Sequence, residues 1–197
     1  MAKFKAAVIV GSLRKDSYNL KLAKAIAKLG NSRFDVQYLQ IGDLPLFSQD
    51  LEANVPAAVT RLKSEIENAD AVLIVTPEYN RGIPGPLKNA IDWASRPYGK
   101  NSFAGKPAAI CGASPGAIGT ACAQSNFKSV LSYLDVLLMG APEVYFQFKE
   151  GLIDAEGNIS SDDTKKFLQK FTDKFADWAD RHIGSAAACA PAKRAAG

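Results

Sequence analysis

The sequence predicts an α/β fold: a five-stranded parallel sheet with helices on both faces. Compact apolar runs alternate with amphipathic helical stretches five times along the chain. Strict β/α alternation implies parallel strands, because each crossover helix returns the chain to the same end of the sheet and covers a face. At 197 residues the chain is long enough for one domain with a sizeable core.

Each element has a local signal. Residues 5–10 form a short apolar run closed by Gly11, a buried strand. Residues 19–29 carry Leu22, Ile26 and Leu29 at helical spacing, and Gly30 supplies the stop. Phe34, Val36 and Tyr38 alternate as a strand does. Val55, Val59, Leu62 and Ile66 fall on one helical face. AVLIVT, residues 71–76, is the strongest strand of the chain. Pro86 opens a shorter helix marked by Leu87, Ile91 and Ala94, because proline suits a first helical turn. Residues 107–111 read as a fourth strand, and Phe127, Val130, Leu131 and Leu134 as the apolar face of a fourth helix. Residues 143–148 read as the fifth strand. Phe167, Phe171, Phe175 and Trp178 give the stripe of a last helix that begins after Ser160-Ser161-Asp162. Residues 1–184 are therefore expected to form the domain. Residues 185–197, SAAACAPAKRAAG, lack large apolar side chains and are expected to be a disordered tail.

Composition narrows the function classes. Hydrophobic residues make up 47% and charged residues 22%, ordinary values for a soluble globular protein. No apolar run approaches the ~20 residues of a membrane span, and the N-terminal apolar run is too short for a signal peptide. A cytoplasmic location is expected. The net charge of +4 is not concentrated into basic runs, so no nucleic-acid partner is expected, while anionic ligands such as nucleotides would be attracted. Cys111, Cys122 and Cys189 are odd in number and have no C-x-x-C spacing, which argues against a disulfide framework. The single histidine, His182, falls at the end of the last helix as a cap or a solvated residue, so neither a zinc site nor a His-dependent triad can be assembled. Metal ligands are expected to be none.

Parallel sheets bind ligands beyond the carboxyl ends of their strands. The loop after the first strand, GSLRKDSYN, is neither G-x-G-x-x-G nor a Walker A sequence. It places Ser12, Arg14, Ser17 and Asn19 where a helix begins, and free N–H groups there favour anions. A capped surface turn would use the same residue types. Lys15 and Asp16 are expected to face solvent. The loop after the third strand, TPEYNRGIPGPLKNAIDW, is rich in Pro and Gly. Gly82 and Gly85 are free to take positive φ. The loop can lay backbone against a flat ligand with Tyr79 beside it, or it can be a rigid turn without a ligand. Asp92 and Trp93 are expected to be structural. The loop after the fourth strand, GASPGAIGTA, is small enough to admit a ligand but weak evidence alone.

GSLRxxSxN after the first strand and PEYNxGxPGxLKNAIDW after the third together resemble the NADPH-dependent FMN reductase family, on its chromate and quinone reductase branch. The resemblance spans residues 5–183. It implies a flavodoxin-like sheet of order 2-1-3-4-5. It implies bound FMN, with the phosphate held by Ser12, Arg14, Ser17 and Asn19 and with Tyr18 also among the cofactor-binding residues. The ring would lie against Pro77, Glu78, Tyr79, Asn80 and Gly82, with Ser114 and Gly116 completing its side of the pocket. Arg81 would stand at the substrate approach. The flavin would carry the hydride, so no catalytic side chain is expected. NADPH or NADH would be co-substrate in a two-electron ping-pong reduction of quinones, with chromate as an adventitious acceptor, in a homodimer or homotetramer. A flavodoxin-type electron carrier is the rival reading, and the positive charge speaks against it.

Overall fold

The computed structural model describes residues 3–183. Six strands and five α-helices follow in chain order: β1 Phe4–Val10, α1 Tyr18–Leu29, β2 Phe34–Leu39, α2 Ala57–Glu67, β3 Ala71–Val75, α3 Gly85–Ala94, β4 Pro107–Ser114, α4 Ala121–Tyr133, β5 Leu137–Leu138, β6 Tyr145–Gln147 and α5 Asp162–His182. The sheet is parallel in the order β2-β1-β3-β4-β5, with β6 also paired to β4. Along β1, Phe4, Ala6 and Val8 pack with α1 and α5, while Ala7 and Ile9 pack with α2, α3 and α4. Both faces of the sheet are thus dry, which is why its strands read as continuous apolar runs.

Three expectations need correction, and one element has no signal in the sequence. The fifth strand is broken into two: β5 pairs with Pro107 and Ala108 at one end of β4, and β6 pairs with Gly112 to Ser114 at the other. Val55 precedes α2 and is exposed, because Pro56 occupies the N-cap and fixes the helix start behind it. Between β2 and α2 a 3-10 helix, Gln49–Asn54, occupies sequence that carries no helical periodicity. Phe167 is 44% exposed, and the buried stripe of α5 runs instead through Leu168, Phe171, Phe175, Ala176 and Ala179.

The second half of the third-strand motif is explained by packing. Asn89 accepts from Phe47 N at 2.8 Å and donates to Pro45 O at 2.9 Å. Trp93 Nε1 donates to the same carbonyl at 2.8 Å, and its ring meets Phe47 edge-on. These side chains pin the β2–α2 connection to α3, so Trp93 is structural as expected. Asp92 pairs with Lys88 one turn back on α3. His182 closes α5, its Nδ1 lying 2.7 Å from Trp178 O with its ring against the Trp178 indole. Cys111 is fully buried, and burial pushes its thiol pKa up, so it is an inert small apolar residue. Cys122 is half-buried. Cys189 and the tail from residue 185 lie outside the described residues.

Candidate functional site: an anion-binding cleft at the strand ends

The carboxyl ends of β1 and β3 are level, and β4 runs three residues past them to Ser114. Gly11 N donates to Val75 O and Thr76 N to Cys111 O, both at 2.9 Å, so the loops after β1 and β3 start side by side along the last residues of β4. With the end of β4 they enclose a cleft of about 290 Å³ lined by Ser12, Arg14, Ser17, Tyr18, Asn19, Pro77, Glu78, Tyr79, Ala113, Ser114 and Pro115. The cleft stands at the junction where β1 is flanked by β2 on one side and β3 on the other, the switch point of this topology.

The first loop presents hydrogen-bond donors to the cleft. Ser17 N-caps α1, its Oγ accepting from Leu20 N at 3.2 Å, which leaves the hydroxyl proton to give. Apart from the hydrogen-bonded turn at Lys15–Asp16, no backbone N–H from Ser12 to Asn19 donates a hydrogen bond among the described residues. Together with the positive end of α1 these groups supply the donors an anion needs. The Arg14 guanidinium lies 4.6 Å from the Tyr18 ring centroid, and Nε donates to Asp16 O at 2.9 Å. Its side chain is 53% exposed, so part of the guanidinium remains open to a ligand.

Asn19 does something the sequence does not reveal. It is buried, its Nδ2 donating to Ala113 O at 2.9 Å and its Oδ1 accepting from Ala113 N at 2.8 Å. The amide ties the first turn of α1 to the end of β4, pairing both backbone groups of a residue that lines the cleft. Asp16, expected to be free in solvent, is exposed but paired: its Oδ1 lies 2.7 Å from Lys21 Nζ. The Lys21 ammonium holds the Asp16 carboxyl below the usual range.

The second loop makes a tight turn, with Tyr79 and Gly82 bonded through N···O distances of 2.9 and 3.4 Å. The positive φ values fall on Asn80 (51°) and Arg81 (62°), not on Gly82 or Gly85 as expected. Both central residues are left-handed, the type I′ pattern, and Arg81 holds this conformation without being glycine. The turn is anchored to α4. Glu78 Oε2 accepts from Ala123 N at 3.0 Å, so a carboxylate from another loop caps a helix whose own N-cap residue, Thr120, makes no side-chain bond to the helix backbone N–H groups, its hydroxyl accepting from Gln124 Nε2 instead. Asn126 Nδ2 donates to Arg81 O at 3.2 Å, and Arg81 Nη1 lies 3.8 Å from Glu78 Oε1. Tyr79 is 56% exposed on the cleft wall.

Nine of the expected residues therefore share one cleft, whereas Asn80, Arg81, Gly82 and Gly116 stand outside its lining. Ala113 and Pro115 were missed as lining residues, although they flank Ser114 in the small-residue loop. At Gly82 and Gly116 the nearest protein atom beyond the chain neighbours would lie 3.6 Å from an added Cβ, so no internal contact requires glycine there. Free donors at one end and small or flat residues, Pro77, Ala113 and Pro115, at the other suit an anionic head joined to a planar body. The residues present fit FMN. Among the described residues no group of three or more His, Cys, Asp or Glu could hold a metal ion, and no helix is long and apolar enough to cross a membrane.

Comparison with known proteins gives a consistent result. Residues 4–151 match the family described as NADPH-dependent FMN reductase. A 2-hydroxy-1,4-benzoquinone reductase of a Burkholderia species is 54% identical over 180 residues, covering 91% of this chain and 98% of that one. A quinone reductase of Pseudomonas putida is 48% identical over 176 residues, covering 89% and 94%. Among solved structures, the flavoenzyme NAD(P)H:(acceptor) oxidoreductase FerB of Paracoccus denitrificans superposes with a TM-score of 0.88 at 51% identity, covering 91% of this chain and 98% of that one.

Proposed function

Because the chain belongs to the NADPH-dependent FMN reductase family and is an FMN-dependent NAD(P)H oxidoreductase, we propose that it reduces quinones by two electrons at the cleft beyond β1, β3 and β4. The observation that carries the placement is the run of mostly unengaged N–H groups from Ser12 to Asn19 beside a half-exposed Arg14. When bound, FMN supplies the redox chemistry, accepting a hydride from the nicotinamide and passing two electrons to the acceptor.

The chain's own part is binding and orientation. Ser12, Arg14, Ser17, Tyr18 and the loop amides would hold the phosphate. Asn19 would act indirectly, by fixing Ala113 against α1. Pro77, Glu78, Tyr79, Asn80 and Gly82 would face the ring on one side, with Ser114 and Gly116 on the other. Glu78 spends its carboxylate on the α4 N-terminus, so it holds the turn still and transfers no proton. Arg81, exposed beside that turn, would meet the anionic co-substrate. No side chain is needed as an acid or base, which matches a cleft without histidine. Donor and acceptor would use one face in turn, so kinetics would be ping-pong, and reduction of chromate would be adventitious use of the same face. Residues 1–184 would form the working domain, in a cytoplasmic homodimer or homotetramer.

The test is direct. The purified protein should be yellow, release FMN and not FAD on denaturation, and oxidise NADPH or NADH with menadione without an added reductase. Stoichiometric FAD, or turnover only with a second protein present, would overturn the reading.

A further inference from the structure

Beside Arg14, outside the lining of the cleft, stands a carboxylate that belongs to none of the roles above. Asp16 sits between two cations. Its Oδ1 is 2.7 Å from Lys21 Nζ, and its Oδ2 is 3.7 Å from Arg14 Nη2. A carboxylate this close to the anion-binding guanidinium can do two harmful things: repel an incoming phosphate, and occupy the guanidinium itself.

Lys21 is the group that opposes both. Its side chain is only 11% exposed, unusual for a lysine, whereas Asp16 is 66% exposed. Its stem belongs to the first turns of α1, and its ammonium lies 6.0 Å from the Tyr18 centroid and 5.8 Å from the Phe148 centroid. Tyr18 and Phe148 stack at 4.3 Å, and Arg14 lies on Tyr18. The two rings thus support both cations, and Asp16 bridges them. Lys21 does not line the cleft, so it acts on a ligand only through Asp16 and the field it sets. The pairing also raises the Lys21 pKa, with Glu150 adding a weaker attraction, so the ammonium stays charged at neutral pH.

We propose that Lys21 is a positioning residue for flavin phosphate recognition: it draws the Asp16 carboxylate away from Arg14 and neutralises it, leaving for the phosphate the guanidinium N–H groups that Asp16 O does not already hold. This rests on the reading that Arg14 holds the phosphate of FMN. Without Lys21, Asp16 closes on Arg14 as an internal competitor.

The experiment titrates the full-length, flavin-freed protein with FMN and with riboflavin, following flavin fluorescence. Lys21→Met keeps most of the apolar stem against the two rings while removing the charge. It should weaken FMN roughly tenfold while riboflavin changes less than about twofold. Adding Asp16→Asn to Lys21→Met should return FMN to within about threefold of wild type, because the competitor is then gone as well. If the double variant stays as weak as Lys21→Met, or if riboflavin falls in step with FMN, the proposal is wrong and Lys21 acts by contact or through the fold. Arg14→Ala, run alongside, separates the two levels. An unchanged preference for FMN over riboflavin in that variant overturns the phosphate reading itself, whereas failure of the Lys21 proposal alone leaves the Arg14→Ala loss in place.

Discussion

Replacing Asn19 by alanine separates two roles that the sequence motif runs together. In the structure both ends of the amide are bonded to the backbone of Ala113, at 2.9 and 2.8 Å, and both residues are buried. Asn19→Ala leaves one N–H and one C=O without partners in a site with little access to water. An unpaired buried polar group costs about 1–3 kcal/mol, so two of them, partly rescued by relaxation, should cost about 2–4 kcal/mol. For a domain of this size that is a fall in Tm of roughly 5–15 °C. The loss should be present with and without flavin, because it belongs to the seam between α1 and β4. Whatever affinity is lost through movement of Ala113 should be shared by FMN and riboflavin. Differential scanning calorimetry and titration of both flavins measure these quantities. A variant with unchanged Tm that loses FMN but keeps riboflavin would refute the argument and return Asn19 to direct phosphate binding.

Three other substitutions test neighbouring parts. Arg14→Ala should weaken FMN by about ten- to a hundredfold and riboflavin hardly at all, with half-exposure of the guanidinium favouring the lower figure; Arg14→Lys should recover only part, since an ammonium lacks the fork. Glu78→Gln keeps an acceptor for Ala123 N and should lower stability by only about 0.3–1 kcal/mol, with quinone turnover retained in the flavin-loaded variant; abolished turnover would make Glu78 an acid–base residue. Arg81→Gly relieves a left-handed non-glycine residue and should hold or raise Tm by a few degrees, at about 1 kcal/mol of relief, while KM for NADPH rises. An unchanged KM would remove Arg81 from the substrate approach.

What could be read from the sequence was local. AVLIVT announced β3 because a strand dry on both faces needs no partner to be recognised, and Ser17 is an N-cap by residue type alone. Periodicity misled where it could not see a boundary. Val55 continues the spacing of α2 but sits ahead of Pro56, and Phe167 continues an aromatic spacing whose buried line is shifted by one residue to Leu168. The two residues of β5 are too few to alternate. At the site, the two loops that line the cleft were legible as candidates because each is contiguous. The Asn19 to Ala113 pairing, the Phe148 ring behind Tyr18 and the Glu78 cap on α4 were not, since each joins residues far apart in sequence and leaves no spacing to detect.

The Glu78 cap has a consequence for anyone who would re-engineer this protein. The turn at Tyr79–Gly82 is not a module that can be grafted by itself. Its carboxylate completes the N-terminus of α4 and its Arg81 carbonyl is held by Asn126, so the turn and the first two turns of that helix form one heritable unit. A chimaera whose 76–85 segment lacks a carboxylate at position 78 leaves α4 uncapped, and one that loses Asn126 frees the Arg81 carbonyl, whereas exchanging the two segments together preserves the junction. Drift at either segment is constrained by the other, so acceptor preference should change through paired substitutions across this seam.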